Sequence, residues 1–163
     1  MAYEVVLTAL DKISSVLPKL ILKRAYTRAK LNEQVFVDTR SVSPIIFLLG
    51  GFVPIVHAWF TVTNMTNLSW KVHDFSADIW IGQPLVTSTC HDKPHDILAK
   101  KRADVFTKCE LNEFQVNRLK EYKERQGKGL IDNVTIFVNA HFESKIGLIE
   151  FKPTLENRLI AIQ

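Results

Sequence analysis

Phe52 to Gly82, FVPIVHAWFTVTNMTNLSWKVHDFSADIWIG, reads as two antiparallel strands joined by the polar turn Asn64-Met65-Thr66-Asn67. Val56, Ala58, Phe60 and Val62 fall on one face of the first strand; His57, Trp59, Thr61 and Thr63 fall on the other. A period of two is what a strand with one buried face requires, and β-branched and aromatic residues suit a pleated surface. The second strand sets Phe75, Ala77, Ile79 and Ile81 against Asp74, Ser76, Asp78 and Trp80. Its start, Lys71-Val72-His73, runs out of phase. One inserted residue swaps faces, so a bulge is expected there.

Working outward toward the C-terminus, Ala103–Leu111 alternates again, with Val105, Thr107, Cys109 and Leu111 on one side. Asn112 then has the chemistry of an N-cap. Gln115 stands at the capping-box position, and Leu111 with Val116 can form a hydrophobic staple. The helix predicted over Glu113–Gln126 ends at Gly127, a natural C′ residue. Val134, Ile136, Val138, Ala140 and Phe142 mark a further half-buried strand. Lys145–Lys152 and Leu155–Ile162 follow, parted by Pro153. Gln83–Arg102, with Pro84 and Pro94, reads as loop. Counting the runs gives about seven strands, the number of an immunoglobulin-like sandwich.

Toward the N-terminus the pattern changes. Val6, Ala9, Leu10, Ile13, Val16 and Leu17 recur at helical steps, and Pro18 should break or kink that helix. A second helical piece places Lys19, Lys23, Arg24 and Arg28 on a cationic side beside Leu20, Leu22 and Tyr26. The expected organisation is an amphipathic basic helical segment over 1–31 and a β-sandwich domain over 32–163. The cationic side is either a solvated helix face or a contact for an anionic membrane surface. Gln34–Asp38 is a short strand. No Lys, Arg, Asp or Glu stands between Arg40 and Lys71. Pro44–Val62 approaches the length of a membrane span, but Gly50-Gly51, Pro54 and His57 interrupt it. The favoured reading is a buried loop and strand start, with a bilayer-crossing segment as the rival.

One domain is the expectation for 163 residues, and 21 basic against 17 acidic side chains permit an anionic partner without demanding one. Two cysteines, Cys90 and Cys109, make no framework. The sequons at Asn64, Asn67 and Asn133 matter only if the domain is exported. The best metal candidate is Cys90-His91-Asp92-Lys93-Pro94-His95, possibly joined by Cys109. Pro94 prevents the helix that would align His91 with His95, so no metal or other cofactor is expected. His57, His73 and His141 fall on strands, the acidic pair Asp74 and Asp78 reads as solvated, and no nucleophile elbow is present. No enzyme is expected. Trp59, Trp80 and Phe137 share the outward face of their strands, as a helix contact or an apolar ligand site. Basic residues are not interleaved with aromatics on one sheet, which argues against nucleic acid.

Phe60-Thr61-Val62-Thr63-Asn64 through Ile81, and Val134-Thr135-Ile136-Phe137-Val138 through Phe151, resemble the late embryogenesis abundant group 2 domain. This is also called the water stress and hypersensitive response (WHy) domain. The likeness covers roughly Phe52–Ile162, and the family's usual Asn-Pro-Asn turn is Asn-Met-Thr-Asn here. The resemblance implies a seven-stranded, fibronectin III-like sandwich without catalysis, in stress-protective or membrane-proximal roles, with lipid handling proposed for some members. The expected function is a non-enzymatic binding or protective module, peripheral to a membrane through its N-terminal segment. The alternative is a carrier of lipid or another small apolar ligand. The expected location is membrane-associated or cytoplasmic; no protein partner is indicated.

Overall fold

The computed structural model describes residues 19–42, 44–91, 93–127 and 130–163. The helix expected over Val6–Leu17 lies outside them. In chain order the elements are helices α1 (Lys19–Ala25) and α2 (Arg28–Gln34), then strands β1 (Val35–Thr39), β2 (Ile45–Leu48), β3 (Ile55–Asn64), β4 (Trp70–Ile81), β5 (Leu85–Cys90), β6 (His95–Ile97) and β7 (Arg102–Glu110). Helix α3 (Glu113–Gln126) and strands β8 (Leu130–Ser144), β9 (Gly147–Phe151) and β10 (Thr154–Ile162) complete the fold.

Seven of the strands form a closed barrel of mixed order, β4-β5-β7-β3-β2-β10-β8, with β8 returning to pair β4. The expected immunoglobulin-like sandwich is therefore wrong, although the mainly-β class is right. Two pairings close the ring. Strand β2 lies antiparallel to β3 and parallel to β10, through Ala161 opposite Ile46 and Ile162 opposite Phe47. Strands β5 and β7 meet at Cys90 opposite Lys108. The remaining strands extend three edges in tandem. β1 follows β2's track along β3, β6 follows β5's along β4, and β9 follows β10's along β8.

The inward residues are those the alternation selects. Val56, Ala58, Phe60 and Val62 of β3 are fully buried, with Phe75, Ala77 and Ile79 of β4 and Ile136, Val138, Ala140 and Phe142 of β8. The predicted bulge is present, as a register shift between Val72 and Asp74 against β8. The predicted capping box is present as well. Asn112 accepts from the Gln115 backbone at 2.9 Å, and Gln115 returns the bond to the Asn112 N–H at 2.8 Å. Gly127 ends α3 at φ 63°, a left-handed conformation that glycine adopts without steric cost.

The two ends of the barrel differ. The β3–β4 turn is held by Asn64, whose side-chain amide donates to the carbonyls of Leu68 (2.7 Å) and Leu98 (2.9 Å). Its Oδ1 accepts from the Thr66 backbone (3.0 Å) and hydroxyl (2.6 Å). The Thr66 hydroxyl in turn accepts from Leu68 N–H and Trp70 Nε1. Helices α1 and α2 dock near this end, through buried Leu22 and Leu31 and through Tyr26, whose hydroxyl accepts from Asn67 N–H at 3.4 Å. The opposite end carries the β2–β3 hairpin tip, the start of α3 and the C-terminal residue, where Leu49 N–H donates to Gln163 C=O and Leu111 N–H to Pro54 C=O.

Candidate functional site

Among the described residues, no helix is long and apolar enough to cross a membrane. Pro44–Val62 is instead β2, a hairpin tip and most of β3. Its lack of charge reflects Ile45, Phe47, Val56, Ala58, Phe60 and Val62 filling the barrel.

Of the cationic residues singled out in the sequence, Lys23, Arg24 and Arg28 are exposed on α1 and α2, and Lys19 opens α1. The helices place them by turning Leu22 and Leu31 into the core. Arg28 faces an acidic neighbour. The Glu150 carboxyl is held below the usual glutamate range, first by the hydrogen-bonded Lys152 ammonium at 2.7 Å; partial burial opposes this, and the charges of Lys152, His141 and Arg28 assist it. Around Glu150, the outer face of β4, β8 and β9 carries a ladder of histidine–carboxylate contacts. His73 Nε2 lies 2.6 Å from Glu143, and His141 lies 3.8 Å from Asp74 and 3.5 Å from Glu150.

The three aromatic residues expected on one face separate onto two walls. Trp80 and Phe137 meet edge to face at 5.9 Å on β4 and β8. Trp59 lies on β3, in tilted contact with Phe106 of β7 at 4.8 Å, with His57 edge-on to both rings. The Arg40 guanidinium covers Trp59 at 4.7 Å, a cation–π arrangement. Trp59 therefore does not share a ligand site with Trp80 and Phe137. The docking of α1 and α2 described above runs through Leu22, Tyr26 and Leu31.

Among the described residues, which leave out Asp92, no three His, Cys, Asp or Glu side chains gather as a metal site. The Cys90–His95 segment is also not all loop, because β5 ends at Cys90 and β6 begins at His95. His91 has a structural role. Its backbone N–H donates to Phe75 C=O (2.8 Å), and its ring Nδ1 lies 2.7 Å from Phe106 C=O. A carbonyl only accepts, so Nδ1 carries the proton, and His91 ties the end of β5 to both β4 and β7. Cys90 and Cys109 are thiols. Cys90 lies opposite Lys108 on the outer face, and the pleat turns Cys109, one residue on, to the other face. The geometry opposes a disulfide between them. Of the three sequons, Asn64 is fully buried with its amide hydrogens engaged, Asn67 is half-buried and Asn133 is exposed.

Two features escaped the sequence reading. One is the Asn64–Thr66 hub, which read only as a turn. The other is the tip Leu49-Gly50-Gly51-Phe52-Val53-Pro54, where Phe52 is 108% exposed, more than any other large apolar side chain described. The Gly pair between two apolar runs is the hairpin signal that could have found it.

No family model matches this chain, and no curated protein matches its sequence. Some solved structures are similar in shape. An Archaeoglobus fulgidus protein aligns over 76% of this chain and 95% of its own, at 10% identity and TM-score 0.41. A candidate ApaA protein from Bordetella pertussis aligns over 78% and 93%, at 11% identity and TM-score 0.45. A candidate late embryogenesis abundant protein, solved in solution, aligns over 94% and 87%, at 14% identity and TM-score 0.42. At these scores the likenesses carry no argument about function.

Proposed function

We propose that this chain is a non-catalytic binding and protective module held peripherally at an anionic membrane surface by its helical N-terminal end. The observation that supports this reading is the division of labour on α1 and α2: Leu22 and Leu31 are docked, while Lys23 and Arg24 stay in solvent. Each basic residue close to an anionic leaflet contributes about 1 kcal/mol. Within that role we read the chain as a member of the late embryogenesis abundant group 2 class, on the residues that carry the resemblance. The alternative, a lipid or apolar-ligand carrier, meets a filled interior; such a ligand would have to sit in a surface groove. The largest groove described, about 580 Å3, is lined by residues such as Phe36, Asp38, Thr63, Met65 and Arg102.

The test is vesicle flotation of the whole protein and of its Lys23→Glu/Arg24→Glu variant. Phosphatidylcholine vesicles with and without phosphatidylserine serve at low and high salt. The variant should lose about tenfold or more of its binding to the anionic vesicles, and salt should do the same to the parent. Equal binding by parent and variant would overturn the helical contact.

A further inference from the structure

The hairpin tip at the other end of the barrel has a property that the helical end lacks. Phe52 is fully exposed, and Val53 is 48% exposed. Nothing lies within 4 Å of a Cβ built on Gly50, so the tip projects clear of the barrel. Exposed single apolar residues are common on protein surfaces, but this one has apolar company. Pro54 is bonded to Leu111, and three residues beyond Leu111 comes Phe114, 68% exposed in the first turn of α3. Arg118 stacks over the Phe114 ring at 5.6 Å and donates to Leu85 C=O. Leu111 N–H joins the tip to the start of α3, whose first turn carries Glu113 and Phe114, with Arg118 one turn further along the helix.

We infer that this tip is a membrane wedge: Phe52 and Val53 enter the headgroup–acyl boundary of a lipid bilayer while Arg118 stays at headgroup level. Three observations favour lipid over a protein partner. The tip itself, Leu49 to Pro54, holds no charged residue, so it can enter an apolar layer without carrying a charge of its own into it. The tip is convex and small. A stable protein interface needs roughly 800 Å2 from each partner, and a phenylalanine with a neighbouring valine supplies about a quarter of that. Shallow insertion of a few apolar side chains beside cations is, by contrast, how interfacial anchors work.

The wall behind the tip is compatible with this. β1 and β2 follow one another along the same edge of β3, so α2 and the tip flank one wall of the barrel. That wall's outer face carries Trp59 under Arg40, the amphipathic aromatic type that gathers at membrane interfaces. β3 spans ten residues, about 30 Å at a strand's rise. The inference shares the membrane reading above but assigns the insertion to a different end.

The experiment compares the parent, Phe52→Asp/Val53→Asp, Lys23→Glu/Arg24→Glu and Leu148→Asp, using the vesicle pair already named. Leu148 is an exposed control on β9. Because Phe52 lies wholly in solvent, its loss should leave the unfolding midpoint close to the parent's, which circular dichroism checks. The wedge variant should bind vesicles of either composition about tenfold or more weakly, while Leu148→Asp binds as the parent does. A folded wedge variant that binds as the parent does overturns the wedge and leaves the helical contact standing. An unchanged Lys23/Arg24 variant beside a defective wedge variant supports the wedge and sinks the helical contact. A parent that binds neither vesicle overturns both. A parent that is dimeric by light scattering, and monomeric only with the wedge variant, makes the tip a self-association surface and overturns the wedge.

Discussion

At one end of the barrel, Asn64 is fully buried and engages both amide hydrogens and its carbonyl oxygen. At the other, Phe52 stands wholly in solvent with bare glycine behind it. Both lie in hairpin connections of β3, and the chain is uncharged through both. They differ in what surrounds them: α1 and α2 cover the first, and nothing described covers the second. A buried polar group must be paired, and truncating one partner leaves the rest unsatisfied. Asn64→Ala would strand the Leu98 carbonyl and the Thr66 N–H, and would leave the Leu68 carbonyl only the Thr66 hydroxyl at 3.1 Å. It should lower stability by about 3–5 kcal/mol in urea unfolding, whereas Phe52→Ala should change it by less than about 0.5 kcal/mol. Comparable losses from the two would mean that the tip packs in solution, and would break the contrast.

That contrast was half legible in the sequence. Alternation identified the inward faces of β3, β4 and β8 because each is apolar on one side only. It missed β2 because Ile45-Ile46-Phe47-Leu48 is apolar on both sides, and such a run has no period to detect. This strand closes the barrel through β10, so missing it turned a ring into two layers. It missed β5 for the opposite reason: Thr87 and Thr89 point inward, and threonine does not register as core. Asn64 read as turn chemistry because its partners Leu68 and Leu98 come from two different loops. Trp59, Trp80 and Phe137 share outward parity, but parity cannot say which wall of a closed sheet each strand occupies.

Between the ends runs the seam where β5 meets β7, and its hydroxyls sharpen the comparison. Thr107 donates to Thr89 at 2.8 Å, and Thr89 lies 3.4 Å from Ala77 C=O, so side chains reinforce a join with little backbone pairing. Thr87 Oγ1 is buried without a hydrogen-bond partner. Thr107→Val should therefore cost about 1–2 kcal/mol, and Thr87→Val should be neutral or stabilising. Equal effects from both would show that volume, rather than hydrogen bonding, holds the seam. At the tip end the comparable polar device is the exposed capping box of α3. Asn112→Ala should cost about 1 kcal/mol there, well below the loss expected at Asn64. A loss as large as that of Asn64→Ala would mean that α3 anchors its end of the barrel as firmly as the hub anchors the other.

The smallest effect concerns charge. Glu150 is held below the usual carboxylate range, chiefly by the Lys152 hydrogen bond, with help from the charges of Lys152, His141 and Arg28. A lowered folded-state pKa means that the native state favours the ionised carboxylate. The resulting stability is present above the unfolded glutamate pKa of about 4.3 and is lost as pH falls through the lower folded value. Lys152→Met removes the leading cause, so the acid side of the stability profile should become shallower below that point, with the neutral side little changed. The exposed setting keeps the effect small, and salt should shrink it further. Substitutions at Phe52 should leave the same acid limb untouched, since the uncharged tip contributes no titrating group. An acid limb that moved with Phe52 and not with Lys152 would mean that the two ends are coupled through the barrel, and the contrast between the buried hub and the exposed tip would fail.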